Sequence, residues 1–536
     1  MRVLRSLVFL AVCMVLVTAP VLAIEVQGYR APGFYDAVAA EQQQAALSAW
    51  LVSEQAGGAL QQPFVVSVTA EELAVMDSKG LPNEAVSKML VGVTKELGAF
   101  VDLATPEVGA MAAAKGVRIW TGAVRSEGAS ALRIHFTDFA LPPDAEVYIY
   151  NEHGEAFGPY SGEGLHGNGD FWSHTITGAT VLVQARTPVG AGDGFFTIAE
   201  VGHFGSNFAY AEYRQRSNTK SFCSYNEPCV MPHNGTDDSI AHYSFVQRPY
   251  VYICTGGLIA TDPPSTTPYF LTANHCVSRD KVANTVETYF FYTSTNGGCT
   301  GPVAQHTVGS SIVATNKTGD FTLLQLDGSA PSGAAFLGWT TDVVAYTNGY
   351  NLHRVSHPSG APQAYSEHSV DTAAGTCSSW PRGSWIYSRD THGATEGGSS
   401  GSPVVNSQDL VVGQLSGGCG TNVYEVCDSV NNATVDGAFA SYYSQVAPFL
   451  GGGSGCSDDQ DGDGYIAESC GGDDCNDDVF AINPGATEIC DDFIDNNCDG
   501  TIDENCGGSC LPRGDACTSN SECCSNRCHP RKLTCS

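Results

Sequence analysis

Two segments in the middle of the chain carry a histidine and an aspartate in the surroundings of a catalytic pair. His275 follows the run Tyr269-Phe-Leu-Thr-Ala-Asn and precedes Cys276, so a strand end and a half-cystine would hold its ring rigid, as a general base requires. Asp320 stands before the apolar run Phe321-Thr-Leu-Leu-Gln-Leu, where it can be buried against an imidazole and fix its tautomer. Taken alone, the histidine could be structural and the aspartate could cap a turn. Their order along the chain favours a catalytic pair.

A third segment supplies a nucleophile. Ser400 lies in Thr395-Glu-Gly-Gly-Ser-Ser-Gly-Ser-Pro403. Small neighbours leave a hydroxyl exposed and let backbone N–H groups converge on an oxyanion, here those of Gly398 and Ser400. A glycine–serine run is also typical of flexible loops, but Pro403 and the two valines after it indicate a turn that enters a strand. The three segments predict a His275–Asp320–Ser400 triad for acyl transfer, which needs no cofactor.

The remainder of the chain indicates an exported protein. Its first 23 of 536 residues combine Arg2 and Arg5, an apolar core and a small residue, Ala23, at a plausible cleavage site, as in an export signal. The apolar core is too short for a membrane span, and no later stretch is long enough. Of the 21 cysteines, Cys13 lies in this signal and all the others lie from Cys223 onward, which is typical of disulfide bonding in an oxidising compartment. We therefore expect a secreted protein without a membrane span.

Composition also divides the chain into segments. Around residues 36–103, stretches rich in Ala, Glu and Gln predict helices, whereas residues 118–120, 130–136 and 146–150 have strand patterns that predict a small β-sandwich. Residues 221–450 contain eight cysteines and many short β-rich runs between turns. The predicted segments are a signal (1–23), an N-terminal region (24–220), a catalytic unit (221–450), a glycine-rich linker (451–455), an acidic module (456–506) and a cysteine-rich tail (507–536).

Residues 221–450 resemble the chymotrypsin-like serine peptidases, and among them the bacterial lysyl endopeptidases. The resemblance rests on Cys223-x5-Cys229, Phe270-Leu-Thr-Ala-Asn-His-Cys, Asp320-Phe-Thr-Leu-Leu, the segment around Ser400, and Gly413-Gln-Leu-x-Gly-Gly. The N-terminal region resembles the propeptide of that family in Trp120, Arg125-Ser-Glu-Gly-Ala and Phe171-Trp172. The resemblance implies a mostly β protein, with a two-barrel trypsin-like catalytic domain, an α+β or β-sandwich propeptide before it and small disulfide-rich modules after it. The triad would lie in the cleft between the barrels.

The resemblance also implies disulfide pairs. The family pairs carried onto this sequence are Cys254–Cys276, Cys229–Cys299 and Cys223–Cys419. Cys377 and Cys427 are then left to form an extra bridge.

Substrate specificity is where this sequence departs from the family. The lysyl endopeptidases carry an acidic residue where this chain has Thr434, and Asp436 could replace it only through a shift of register. The family histidine in Gln-Leu-His-Gly is Ser416 here, followed by Gly417, and the position that holds the acid in trypsin is Ala394. These five residues are the expected substrate-binding positions, and they do not imply a strict preference for lysine.

The resemblance places the end of the propeptide at Lys220, although Arg214-Gln-Arg216 is an alternative cleavage site. Many trypsin relatives have an aspartate directly before the nucleophile that pairs with the new N-terminus, and this chain has Ser399 there. Activation through that ion pair is therefore not expected. We expect the N-terminal region to assist folding and to block the cleft until it is removed.

The acidic module has a composition typical of calcium binding. The formal net charge of the chain is −32, and residues 451–512 contain 16 Asp or Glu and no Lys or Arg. Such acidity disfavours nucleic acid as a partner. Carboxylates at alternate positions before Gly464 are typical of a calcium loop, although Cys470 replaces the usual glutamate at position twelve. A solvated acidic spacer is the alternative, and the six interleaved cysteines favour calcium. The module resembles repeats described as a "putative metal-binding motif", and its candidate ligands are Asp459, Asp461, Asp463, Asp473, Asp474, Asp477, Asp478, Asp491, Asp495, Asn497, Asp499 and Asp503.

The tail has the cysteine spacing of an inhibitor cystine knot. That resemblance implies the pairs Cys510–Cys524, Cys517–Cys528 and Cys523–Cys535. Such knots serve as toxins, inhibitors or binding modules, so the tail could direct the protein to a surface or a protein target.

Together these features predict a secreted serine endopeptidase, made as a zymogen, that hydrolyses protein or peptide substrates through an acyl-enzyme on Ser400. One alternative is a calcium-dependent surface-binding protein whose peptidase-like domain is inactive. Another is a processing enzyme whose knot inhibits its own cleft.

Overall fold

The computed structural model describes the following residues: 23–77, 88–206, 208, 236–293, 304–377, 379–423, 428–451, 464–465, 474–476, 479–489, 494–498, 501 and 516–518. The helices in these residues are α1 (Ala37–Glu54), α2 (Ala70–Asp77), α3 (Asp280–Ala283) and α4 (Phe439–Leu450). Single 3₁₀ turns cover Ala59–Gln61, Asp237–Ser239, Val344–Tyr346 and Pro358–Gly360.

The first strands along the chain are β1 (Glu25–Val26), β2 (Tyr29–Arg30), β3 (Phe64–Val66), β4 (Met89–Asp102), β5 (Ala110–Ala114), β6 (Val117–Ser126), β7 (Ala131–Ala140), β8 (Glu146–Tyr150), β9 (Ala156–Tyr160), β10 (Phe171–Thr177), β11 (Thr180–Pro188) and β12 (Phe195–Phe204). The strands that follow are β13 (Ile240–Gln247), β14 (Tyr250–Leu258), β15 (Tyr269–Ala273), β16 (Glu287–Phe290), β17 (Gln305–Val308), β18 (Ser310–Asn316), β19 (Phe321–Leu326), β20 (Ala335–Phe336), β21 (Trp339–Thr340), β22 (Asn351–Ser356), β23 (Ala364–Val370), β24 (Trp385–His392), β25 (Pro403–Val405), β26 (Val411–Gly420) and β27 (Asn432–Ala438).

The N-terminal region forms the predicted β-sandwich. One sheet contains β3, β5, β6, β8, β9 and β11, and the facing layer contains β4, β7, β10 and β12. Alternate residues of both layers point inward and pack in one buried cluster that includes Trp120, Phe136 and Phe196. The predicted helices are only partly correct. Helix α1 begins after Asp36, whose side chain accepts hydrogen bonds from two amides of the first turn, but residues 89–102 form a strand because their apolar residues are buried between two neighbouring strands.

The catalytic unit folds into the two barrel-like sheets that the resemblance implied. The first contains β13 to β19, and the second contains β21 to β27, where pairing of β26 with both β25 and β27 brings the sheet round on itself. Helix α4 packs Phe439 and Tyr442 into the main core, against Phe321 and Trp339. The protein is mostly β, as predicted.

The N-terminal region and the first barrel share one sheet of eleven strands. Strand β4 pairs with β12 of the sandwich on one side and with β14 of the barrel on the other. A buried ion pair lies at the same junction. Arg133 of β7 and Glu287 of β16 are both fully buried, and the Nε and Oε2 atoms are 3.6 Å apart.

Three disulfide bonds lie among the described residues. Cys254–Cys276 is the predicted pair. Cys377 is bonded to Cys419, so the predicted Cys223–Cys419 and Cys377–Cys427 pairs are wrong. The reason is the strand order. Strands β26, β27 and β24 are adjacent, which folds the segment before β24 over the end of β26. The third bond, Cys475–Cys498 in the acidic module, was not predicted. The predicted Cys229–Cys299 pair lies outside the described residues.

In the part of the chain that the structure describes, no helix is long and apolar enough to cross a membrane.

Candidate active site

Antiparallel pairing of β15 and β19 brings His275 and Asp320 together. Ala273 at the end of β15 lies opposite Phe321 at the start of β19. His275 follows the first strand and Asp320 precedes the second, so both residues lie at the same end of the strand pair. Asn274 reinforces this by donating its amide to the Asp320 carbonyl oxygen, at 3.0 Å.

The carboxylate of Asp320 holds the imidazole through two contacts. Its Oδ2 is 2.7 Å from His275 Nδ1, and its Oδ1 accepts the His275 backbone N–H at 2.8 Å. The Asp320 side chain is 12 % exposed, whereas that of His275 is 24 % exposed. A carboxylate in this position fixes the tautomer that leaves Nε2 free to accept a proton. No protein atom in the described residues hydrogen-bonds to His275 Nε2.

The Ser400 loop is clamped against the first barrel. Thr255 of β14 donates its amide to the Ser400 carbonyl oxygen at 2.9 Å and its hydroxyl to the Gly398 carbonyl oxygen at 2.8 Å. Cys276, next to the histidine, lies with its sulfur 3.9 Å from the same Ser400 oxygen. Gly398 has a φ of +95°, and a Cβ there would lie 2.9 Å from the His357 carbonyl oxygen, so glycine is required. These contacts bring Ser400 to the side of the barrel that carries His275.

The loop also leaves two backbone donors free. Within the described residues, the amides of Gly398 and Ser400 donate to no protein acceptor. In contrast, the Ser399 amide donates to the Glu396 carbonyl oxygen, and the Gly401 amide donates to the Leu415 carbonyl oxygen. Free amides beside a serine hydroxyl are one requirement of oxyanion stabilisation. Ser399 is fully buried. Its hydroxyl accepts a hydrogen bond from the Ser356 hydroxyl at 3.0 Å, so it does not pair with a charged group.

A pocket of about 100 Å³ lies beside Ser400, and we call it the Ser400 pocket. Its lining residues all come from the second barrel and are Asp390, Thr395, Glu396, Gly397, Ser400, Leu415, Gly417, Gly418, Val423, Asp428, Ser429, Asn432, Ala433 and Thr434. No described residue of the N-terminal region lines it.

The structure brings together some of the predicted substrate-binding residues and not others. Gly417 and Thr434 line the Ser400 pocket, whereas Ala394 and Ser416 do not. Asp436 is fully buried and pairs instead with Arg354, at 2.9 Å between Oδ2 and Nη2. Asp436 is therefore not available to a substrate.

Sequence reasoning missed Asp390. This residue lies in β24, lines the Ser400 pocket and accepts a hydrogen bond from the Thr434 hydroxyl at 2.7 Å. No local motif marks it. The available signal is its place near the end of a strand that pairs with the strand of Thr434.

Only part of the predicted calcium site lies within the described residues. The candidate ligands within the described residues are Asp474, Asp495 and Asn497. The candidate ligands outside the described residues are Asp459, Asp461, Asp463, Asp473, Asp477, Asp478, Asp491, Asp499 and Asp503. Asp474 is buried, and its Oδ2 has no hydrogen-bond partner. An orphaned buried carboxylate oxygen fits a cation ligand. In the tail, Cys517 is buried and disulfide-bonded, and Cys510, Cys523, Cys524, Cys528 and Cys535 lie outside the described residues.

Comparison with known proteins agrees with this geometry. Residues 217–434 match the family model described as lysyl endopeptidase, C-terminal domain. The chain resembles the lysyl endopeptidases. It is 26 % identical over 347 residues to the lysyl endopeptidase of Pseudomonas aeruginosa, an alignment that covers 60 % of this chain and 72 % of that protein. Residues 474–504 match a second model, described as "putative metal-binding motif". These similarities support a peptidase with peptide substrates.

Solved protease structures match at lower similarity. The MamO protease domain of Magnetospirillum magneticum is 15 % identical, with a TM-score of 0.27, and the match covers 39 % of this chain and 97 % of that one. The active form of the Rv3671c protease of M. tuberculosis is 16 % identical, with a TM-score of 0.28, and the match covers 40 % of this chain and 82 % of that one.

Proposed function

We propose that the chain is the precursor of a secreted serine endopeptidase that forms an acyl-enzyme on Ser400. The observation that carries the proposal is the Asp320 carboxylate, which accepts from both the ring and the backbone of His275 while Nε2 stays unpaired. The peptidase similarity of the same residues supports it.

In the proposed mechanism, His275 Nε2 takes the proton of the Ser400 hydroxyl as its oxygen attacks a peptide carbonyl carbon. The free amides of Gly398 and Ser400 stabilise the oxyanion that forms. Asp320 stabilises the imidazolium, which then protonates the leaving amine. Water, deprotonated by the same ring, releases the acyl group and restores Ser400. All these groups belong to the chain itself, so no cofactor is needed for catalysis.

The experiment is peptide hydrolysis by Ser400→Ala, with Ser402→Ala as the matched control. Ser402 is a buried serine two residues away that has no role in the mechanism. Ser400→Ala is expected to lower kcat by about 10³-fold or more and to abolish labelling by a fluorophosphonate. Ser402→Ala is expected to keep both. Hydrolysis by Ser400→Ala at the wild-type rate would refute the proposal.

The N-terminal region is proposed to act as a folding template for the zymogen. Its β4 continues the sheet of the first barrel, and its Arg133 neutralises the buried Glu287 of that barrel. Because none of its described residues lines the Ser400 pocket, template action is better supported than blocking of that pocket. The predicted cleavage at Lys220 lies outside the described residues.

For the acidic module we propose calcium binding, supported by the orphaned oxygen of Asp474 and by the matched motif. A bound calcium ion would contribute to the stability of the module and take no part in hydrolysis. We propose that the module and the tail together hold the peptidase on a surface or protein target outside the cell.

A further inference from the structure

The Gly398 amide, one of the two free donors beside Ser400, shares a peptide bond with the carbonyl group of Gly397. A peptide bond is planar and trans, so its N–H and its C=O point in opposite directions and cannot turn independently. The Gly397 carbonyl oxygen accepts the backbone N–H of Ser359 at 2.7 Å. That hydrogen bond comes from outside the Ser400 loop and sets the direction in which the Gly398 N–H points.

The other carbonyl groups of this loop are held in different ways. Thr255 binds the carbonyl oxygens of Gly398 and Ser400. The Ser402 amide donates to the Ser399 carbonyl oxygen at 3.0 Å, within the loop itself. These bonds orient the peptide units that follow Gly398. Among the described residues, the bond from Ser359 is therefore the one that orients the Gly398 donor.

Ser359 donates this bond from a strained turn. It lies in the 3₁₀ turn Pro358–Gly360 with a φ of 51° and a ψ of 27°, in the left-handed region that residues with a Cβ rarely adopt. Such a conformation persists only where the surroundings hold it, and it is frequent at functional sites. The turn also lies close to the loop, since a Cβ on Gly398 would be 3.3 Å from the Ser359 and Gly360 nitrogens.

The side chain of His357 holds this turn closed. Its Nδ1 lies 2.8 Å from the carbonyl oxygen of Ala361, on the other side of the turn. Burial lowers the pKa of His357 to about 4, so the ring is neutral at neutral pH. Because Nδ1 faces an acceptor, it carries the single ring proton and donates it. The Nε2 atom has no partner among the described residues, so the hydrogen bonding of this side chain there depends on Nδ1.

His357 is also anchored to the first barrel. Its ring is fully buried and stacks on the ring of Tyr292, with 5.7 Å between the centroids and 2° between the planes. Its backbone N–H donates to Thr255 Oγ1 at 3.1 Å, and the same hydroxyl donates to the Gly398 carbonyl oxygen. The ring and the backbone of His357 thus fix the turn relative to the strand that holds the Ser400 loop.

We propose that His357 is a positioning residue for acyl transfer at Ser400, because its Nδ1 hydrogen bond holds the turn from which Ser359 orients the Gly398 N–H toward the oxyanion. This inference rests on the proposed function. His357 acts through the turn and not by contact with the substrate. Its loss should therefore affect states that carry an oxyanion and leave substrate binding unchanged.

The test separates the Nδ1 donor from the ring. His357→Phe keeps a flat ring beside Tyr292 and loses the donor, whereas His357→Asn loses the ring and keeps a donor at the δ position. His353→Phe is the matched control, because His353 lies in β22, the strand that leads to the turn, and bonds Asp409 instead. All variants are measured as the full chain, on a peptide amide with the best-cleaved sequence from a casein digest.

His357→Phe is expected to lower kcat by about tenfold, with KM within about twofold of wild type, because a buried neutral hydrogen bond no longer favours the closed turn. This loss is smaller than the roughly 10²- to 10³-fold effect of removing an oxyanion donor, since the Gly398 N–H is still present. His357→Asn and His353→Phe are expected to keep kcat within about threefold of wild type.

Two inhibitors report on the oxyanion directly. With a peptide aldehyde of the same sequence, the Ser400 oxygen bonds to the aldehyde carbon, the serine proton passes to His275, and the aldehyde oxygen becomes the oxyanion. The corresponding peptide alcohol binds without forming that bond. His357→Phe is expected to weaken the aldehyde by about tenfold and to leave the alcohol within about twofold of wild type.

Wild-type kcat and wild-type aldehyde affinity in His357→Phe would overturn the inference, and so would an equal loss in His357→Asn. Equal weakening of the aldehyde and the alcohol would indicate general damage and would also overturn it. If His357→Phe does not fold, as judged by calorimetry, His357→Gln takes its place, because glutamine moves the donor from the δ to the ε position. Absence of hydrolysis by the wild type would instead overturn the proposed function.

Discussion

Replacing Arg133 by methionine should loosen the junction between the N-terminal region and the first barrel. Arg133 is fully buried, and its guanidinium donates to the carbonyl oxygens of Ser173 at 2.6 Å and Thr285 at 2.7 Å. It is also the positive partner of Glu287. Methionine has a similar length, so the main loss is the charge and its hydrogen bonds.

The magnitude follows from what Glu287 retains. Its carboxylate still accepts from the amide and hydroxyl of Thr175, at 2.9 and 2.6 Å, and lies 3.0 Å from His306 Nδ1. These contacts stabilise the anion only in part. Removing one member of a buried ion pair costs about 3–5 kcal/mol, because the other charge is left uncompensated. Opening of the junction should therefore become about 10² to 10⁴ times more frequent.

Hydrogen–deuterium exchange of the full chain, in a Ser400→Ala background that cannot digest itself, measures this opening directly. Peptides from β4 and β14 should exchange faster by the same factor. Arg186→Met is the matched control, because Arg186 pairs with Glu54 inside the N-terminal region and should leave β14 unchanged. Adding Glu287→Gln to Arg133→Met should restore part of the protection, since the amide carries no charge. Unchanged exchange in Arg133→Met, or no recovery in the double variant, would refute the reasoning.

Two further predictions concern pH and metal. Burial lowers the pKa of His174 to about 3, so the neutral ring contributes stability that is complete above its ordinary value of about 6.5 and is lost as the pH falls below it. Between pH 6.5 and 5 this amounts to about 2 kcal/mol, and it should appear as a lower denaturation midpoint that His174→Phe makes less dependent on pH. Removing calcium with EDTA should lower the melting temperature of the acidic module without changing peptide hydrolysis, and Asp474→Asn should weaken calcium binding measured by calorimetry by about tenfold. Hydrolysis that stops in EDTA would contradict this assignment.

The proximity of His275 and Asp320 could be predicted from sequence because each of them lies in a local motif. His275 ends one strand and Asp320 begins the next in the first barrel, so antiparallel pairing alone brings them together. The tight Ser400 turn likewise follows from its small residues. Such predictions need only near neighbours along the chain.

Disulfide pairing and substrate binding depend on contacts between strands that are distant in sequence. Cys377 meets Cys419 only because β24 and β26 both adjoin β27. Asp390 carries no motif and becomes a candidate only through its contact with Thr434. Asp436 lies two residues further along β27, about 7 Å deeper in the barrel, where Arg354 binds it.

The strand pair β4–β14 has a consequence for the proposed removal of the N-terminal region. Departure of the N-terminal region would leave Tyr250–Ile253 with one row of backbone donors and acceptors unpaired, which in other sheets invites pairing with a second chain. It would also bring the charge of Glu287 to the surface without Arg133. We therefore expect the proposed cut near residue 220 to break the covalent link well before the two parts separate, with the N-terminal region still covering the β14 edge.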